Sequence, residues 1–175
     1  MEVDYSELEK EAWETLKFAN SYTRLGALLD IRGVTFGQVA ARKWWKTFGD
    51  EWNCCDNIYQ YKDELFDLFY SSEPSDRRLM MSPYERRRHD LLPEKVKVYR
   101  GCYDDNRDGF SWTLSKNIAE GFTKQHRYRR DGEDALLLTG TTRRNATIFK
   151  SSRREQEMIC WDVKVIREEL LLAKP

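Results

Sequence analysis

The chain has 175 residues with 40% hydrophobic and 34% charged side chains, which fits a folded domain with its own core and excludes a disordered or collagen-like segment. Four cysteines without a CxxC pair and only two histidines, His89 and His126, argue against zinc or any other metal; buried free thiols are expected. The net charge is zero, no apolar run approaches a membrane span, and the acidic start MEVDYSELEKEAW does not read as a signal peptide, so a cytoplasmic chain away from membranes is expected.

Charge is unevenly spread. Residues 1–75 carry 14 acidic and 8 basic side chains, and residues 76–175 carry 16 and 22. The second part would favour an anionic ligand or present a solvated basic face.

In chain order, the first elements read as helices. YSELEKEAWETLKFANSY has Ser6 as its N-cap and Leu8, Ala12, Trp13 and Leu16 near one face. TFGQVAARKWWKTFG is the second, opened by Thr35 and stopped by Gly49. DNIYQYKDELFDLFYSS is the third, with Ile58, Tyr61, Leu65, Leu68 and Phe69 at helical spacing. SSEPSD (71–76) reads as a loop, and SPYERRRHDLL as a short helix with Ser82 as cap and Pro83 in its first position. Trp44-Trp45 and Phe66-Asp67-Leu68-Phe69-Tyr70 read as core packing, with a partner surface as the rival.

After Pro93 the pattern turns to strands. KVKVYRG alternates, DDNRDG is a turn and FSWTL a short strand. SKNIAEGFTKQH reads as a helix capped by Ser115, and RYRRDGED as a loop. ALLLTGTT and ATIFK are strands around the turn RRN; EMICWDVKVI is a single last strand and REELLLAKP a tail. The expected division is a helical region, 1–92, and a β-rich core, 93–175, forming one compact unit of the α+β class.

The common catalytic fingerprints are missing: no GxGxxG, P-loop, GxSxG or HExxH. An ordered set of weaker motifs is present. Tyr99-Arg100-Gly101 ends the first strand, Ser111-Trp112-Thr113 forms the next, and Glu155-Gln156-Glu157 opens the last. Residues two apart on a strand share a face, so Glu155 and Glu157 would emerge side by side although like charges repel. Singly, each has an ordinary reading: an exposed arginine at a turn, common strand composition, a solvent-facing pair. Jointly they favour a site.

This order resembles the arginine, serine–threonine–serine and ExE motifs of the mono-ADP-ribosyltransferases, on VYRG, FSWTLSKNIAEGF and EQEMI within about residues 96–166. The resemblance implies an ADP-ribosyltransferase-like split antiparallel β-sandwich after the N-terminal helices. It also implies NAD as substrate, cleaved between ribose and nicotinamide through an oxocarbenium-like transition state. Glu157 would stabilise that charge and bind the ribose hydroxyl. Glu155 would meet the acceptor and help remove its proton. Arg100 would hold NAD phosphate through its planar fork. Gly101 would let the backbone approach nicotinamide, and Ser111 would fix the Glu157 rotamer with Thr113 as its same-face neighbour. Trp112 replaces the family's central threonine and reads as core.

Within that family ExE goes with transfer to protein arginine, yet Ser152 stands where protein-modifying members often carry an aromatic residue. From Lys124 to Arg154 there are nine Lys or Arg against three Asp or Glu. With Tyr128 and Phe149 interleaved, these stretches could track a phosphate backbone and stack a base, which puts RNA or DNA ahead of protein arginine as acceptor. The resemblance extends to toxins of toxin–antitoxin and phage-defence systems, for which a neutralising antitoxin protein is the expected partner. The rival readings are a non-catalytic nucleic-acid-binding module and an NAD glycohydrolase.

Overall fold

The computed structural model describes residues 5–35, 37–125, 129–130, 132–151 and 156–171. It divides into two compact units, Met1–Ser82 and Pro83–Pro175.

The first unit is helical: α1 (Tyr5–Phe18), α2 (Arg24–Val34), α3 (Gln38–Glu51), α4 (Lys62–Ser71) and the single turn α5 (Pro74–Arg77). Its core is aromatic. Trp44 stacks on Phe48 at 4.7 Å between ring centroids and meets Trp45 edge-on at 5.0 Å. Trp52 and Phe69 complete the cluster, and Leu25, Leu28, Ile31 and Leu65 surround it, all at most 1% exposed. Burying each such side chain stabilises by about 1.5–3 kcal/mol. The Trp44 indole N–H, which would be costly to bury alone, donates to the Leu28 carbonyl at 2.6 Å. Trp44-Trp45 is thus core; of the 66–70 cluster, Phe69 is core and Tyr70 is exposed.

The structure differs from the sequence reading at four points in this unit. Helix α2 falls in RLGALLDIRGV, where Gly26 and Gly33 mask the pattern, and packing on α1 and α3 overrides their weak propensity. Thr35 ends that helix instead of opening the next: it is the C-cap, and its hydroxyl donates to the Ile31 carbonyl at 2.6 Å. Gly49 lies inside α3 and stops nothing. A Cβ there would lie 2.2 Å from the Met80 carbonyl oxygen, so the glycine is a packing requirement. Ser6 also sits within the first turn of α1 and not ahead of it.

The second unit opens with α6 (Pro83–Asp90), which precedes the first strand. The strands are β1 (Lys95–Cys102), β2 (Ser111–Thr113), β3 (Ala135–Arg143), β4 (Thr147–Lys150), β5 (Glu157–Cys160) and β6 (Val163–Leu171). Helix α7 (Lys116–Phe122) follows β2, with the Ser115 hydroxyl accepting from the Ile118 amide at 3.4 Å. The chain is α+β, and the six strands of the described residues form one antiparallel sheet in the order β4-β5-β2-β1-β3-β6. β1 and β3 share eight registered pairs, whereas β1 and β2 share one, Tyr99 with Thr113. The sheet therefore has two halves, β4-β5-β2 and β1-β3-β6, joined at a narrow seam.

The expected last strand and tail are also corrected. EMICWDVKVI is two strands, because Trp161-Asp162 turns the chain, and β6 crosses to the far edge and extends to Leu171. The continuous apolar pattern hid that turn. Consecutive Leu136, Leu137 and Leu138 are all buried, so both faces of β3 are covered.

Candidate functional site

Two of the three motifs lie far from the third in sequence but on neighbouring strands, β5-β2-β1. The register pairs Tyr99 with Thr113, Thr113 with Glu157, and Glu157 with Lys150. Directly paired residues share a face, so Tyr99, Thr113, Glu157 and Lys150 form one row across four strands. Thr113, not Ser111, is thus the residue opposite Glu157. Ser111 is two residues along β2 and pairs with Ile159. Thr113 is buried, and its hydroxyl accepts the Ser115 amide at 3.2 Å, which ties the row to the start of α7.

Arg100 sits at the seam. Its Nη1 donates to the Ser111 carbonyl, and Nη2 donates to the Asn106 carbonyl at 2.9 Å. The guanidinium thereby bridges β1, β2 and the turn between them where the strand ladder stops. Gly109 makes room: a Cβ there would lie 2.4 Å from Nη2. The residue keeps some exposure, but Nε is fully enclosed and has no hydrogen-bond partner. Burial pulls the guanidinium below its ordinary pKa, and Cys102, Asp108 and Glu157 act against that fall. Arginine stays charged regardless. Its field reaches Glu157.

Gly101 is buried, and its missing side chain has an identified neighbour: a Cβ would lie 2.0 Å from the Ala119 carbonyl oxygen of α7. The glycine lets helix and strand backbones meet. Trp112 is buried, as expected, and donates to the Gly109 carbonyl at 3.0 Å. Glu157 is half-buried at the start of β5. Gln156 before it has φ 45°, a left-handed conformation that a non-glycine residue adopts at a cost on the order of 1 kcal/mol. Strain one residue before a candidate catalytic carboxylate suits a position held for function. Glu155 lies outside the described residues, as do Ser152, Arg153, Arg154, His126 and Tyr128.

Two thiols line the same region. Burial pushes the Cys160 thiol well up, with Glu157 adding and Arg100 opposing. Burial also raises the Cys102 thiol, and Arg100 opposes it. Both therefore stay protonated at neutral pH and are unsuited to nucleophilic attack. Cys55 is buried too, whereas Cys54 is exposed. Among the described residues no group of three or more His, Cys, Asp or Glu is placed to hold a metal ion, and no helix is long and apolar enough to cross a membrane.

Several residues of the expected polynucleotide track have other places in the structure. Phe149 is 3% exposed in β4 and cannot stack a base. Arg130 pairs with Asp105 and Glu133 and lies over the Tyr103 ring. Arg143 pairs with Asp162, and Arg144 donates to the Asp90 and Leu92 carbonyls. Sequence counting could not separate arginines that hold loops from arginines free to bind.

Sequence reasoning missed Glu85 and Lys150, an ion pair at 3.2 Å with both side chains under 10% exposed. The available signal was a lysine ending the apolar run ATIFK. A scan against protein-family models, a search of curated proteins and a search of solved structures found no match to this chain.

Proposed function

We propose that the chain is an NAD-dependent mono-ADP-ribosyltransferase, and that its second unit is a variant of the split-sheet fold of those enzymes. The observation that carries the reading is the convergence of Tyr99-Arg100, Ser111-Thr113 and Glu157 on adjacent strands from separate stretches of sequence. Glu157 stabilises the developing oxocarbenium charge. Arg100 fixes the seam and turns its remaining N–H groups to the NAD phosphates. Thr113 and Ser111 shape the face on which Glu157 stands. Glu155 approaches the acceptor.

The acceptor reading shifts. Burial of Phe149 and the internal contacts of Arg130 and Arg144 weigh against RNA or DNA. The ExE spacing, by resemblance, then favours a protein arginine. A toxin or defence role with a neutralising partner belongs to the same proposal.

Radiolabelled NAD, the purified chain and a cell extract test it. Label that survives nuclease but not protease supports the arginine acceptor, and the reverse restores nucleic acid. Nicotinamide release without label leaves the glycohydrolase, and no turnover leaves the binding module.

A further inference from the structure

The row that holds Glu157 continues past Tyr99 across the rest of the sheet, through Thr139 of β3 to Arg167 of β6. Beside it, on the same face, lies an exposed basic field. Lys97 pairs with Thr141, which pairs in turn with Lys164, and Lys95 pairs with Arg143. Residues two apart on a strand share a face, so these four cations stand on the face of Tyr99. All four are exposed, whereas Val96 and Val98, which alternate with the β1 lysines, are buried on the other face. Helix α7 covers the opposite side of Tyr99, where Gly101 meets Ala119 and Lys116 pairs with Glu169 at 3.5 Å.

The charge of this field is not balanced. Arg143 pairs with Asp162 at 2.8 Å, and Glu169 is shared between Lys116 and Arg167. Lys95, Lys97 and Lys164 make no ion pair among the described residues. Neighbouring like charges repel, so the three lysines hold a positive potential that an anion would cancel. Lys95 and Lys97 stand about 7 Å apart along β1, and Lys97 and Lys164 about 10 Å apart across two strand spacings. Carboxylates two apart on a strand, or one turn apart on a helix, match the shorter span. Single-stranded nucleic acid would be held by rings as well as cations. Tyr99, the ring on this face, is half-buried, and Lys97 Nζ lies over it at 5.4 Å. The field therefore suits carboxylates better than stacked bases.

We propose that the exposed face of β1, β3 and β6 docks an acidic segment of the acceptor protein, with Lys95, Lys97 and Lys164 pairing its carboxylates beside the row that holds Glu157. This deepens the transferase reading above and rests on it for the role of the segment: the modified arginine is one flanked by Asp or Glu.

Three fluorescein-labelled probes test it by anisotropy at physiological salt: a peptide with one arginine amid glutamates, the same peptide with glutamine at each glutamate, and a single-stranded oligonucleotide of equal charge. The proteins are wild type, Lys95→Gln/Lys97→Gln/Lys164→Gln, and a control of equal charge loss, Arg42→Gln/Lys46→Gln/Arg88→Gln, with circular dichroism confirming that each is folded. Wild type should bind the acidic peptide more tightly than either other probe. Each exposed ion pair contributes a factor of roughly 1.4–5, so the lysine variant should bind it about three- to a hundredfold more weakly. The control should change by about twofold or less, because distant surface charges are screened. Label transfer from NAD to the acidic peptide should fall further in the lysine variant than nicotinamide release does. Failure of wild type to bind the acidic peptide, or equal weakening in the two variants, overturns the proposal. Tighter binding of the oligonucleotide that the lysine variant loses assigns the face to nucleic acid, and salt-sensitive self-association lost in that variant assigns it to a second copy; either overturns it too. If wild type releases no nicotinamide, the transferase reading fails while the binding arm still decides whether the face docks an acidic segment.

Discussion

Replacing Arg100 by alanine tests its structural task at the seam. The substitution removes the donors to the Ser111 and Asn106 carbonyls and empties the space that Gly109 leaves for the guanidinium. Hydrogen bonds to a charged group contribute roughly 1.5–3 kcal/mol each, and both carbonyls are only partly buried, so the low end applies. Two such bonds give about 3 kcal/mol, or about a hundredfold in the folding equilibrium. A unit of this size shifts its Tm by roughly 4–8 °C per kcal/mol, so a fall of about 12–24 °C is expected. Arg100→Lys keeps the charge but offers a point donor in place of a planar fork, and should recover less than half of that loss. Thermal and urea unfolding followed by near-UV circular dichroism read both variants. If Arg100→Ala melts within about 2 °C of wild type, the bridge across the seam holds nothing and the reasoning is refuted.

Other consequences follow from single contacts. Gly49→Ala forces a methyl against the Met80 backbone and should destabilise the helical unit by about 1–3 kcal/mol or more in urea titrations. Lys150→Met removes the buried ammonium that pairs with Glu85 at 3.2 Å and should destabilise the second unit in the same assay. Iodoacetamide at neutral pH should label Cys54 and spare Cys102 and Cys160, as mass spectrometry of the digested chain would show. Because both buried thiols titrate above their ordinary value, the unfolded chain loses these protons first as pH rises. Their contribution is intact below the unfolded thiol pKa of about 8.5 and is lost above it, so urea midpoints should decline through alkaline pH and decline less in the Cys102→Ser/Cys160→Ser variant.

Local patterns carried much of the fold. The alternation of KVKVYRG, the Ser115 cap and Pro83 at a first helical position all have local causes, and all stand in the structure. Failures came where tertiary contacts decide. Gly49 reads as a stop because its partner Met80 comes 31 residues later, and α2 is masked by Gly26, whose neighbour Tyr61 comes 35 residues later. The turn at Trp161-Asp162 sits inside an apolar run whose pattern continues through it. The site was legible as three motifs but not as a row: only the register reveals that Thr113 faces Glu157 and that Arg100 bridges a seam. Glu85 had no local signature at all, since a glutamate in PYERRRHD looks solvated until β4 packs on it.

The most direct test of the central claim is nicotinamide release from NAD by the wild-type chain and by Glu157→Gln, with circular dichroism confirming that both are folded. Removing one preorganised electrostatic group costs about 2.7–4 kcal/mol of barrier, so the account predicts turnover by wild type and a loss of about 10²–10³-fold in the variant. Equal turnover by the two folded proteins, or none by wild type in the presence of extract, would contradict it.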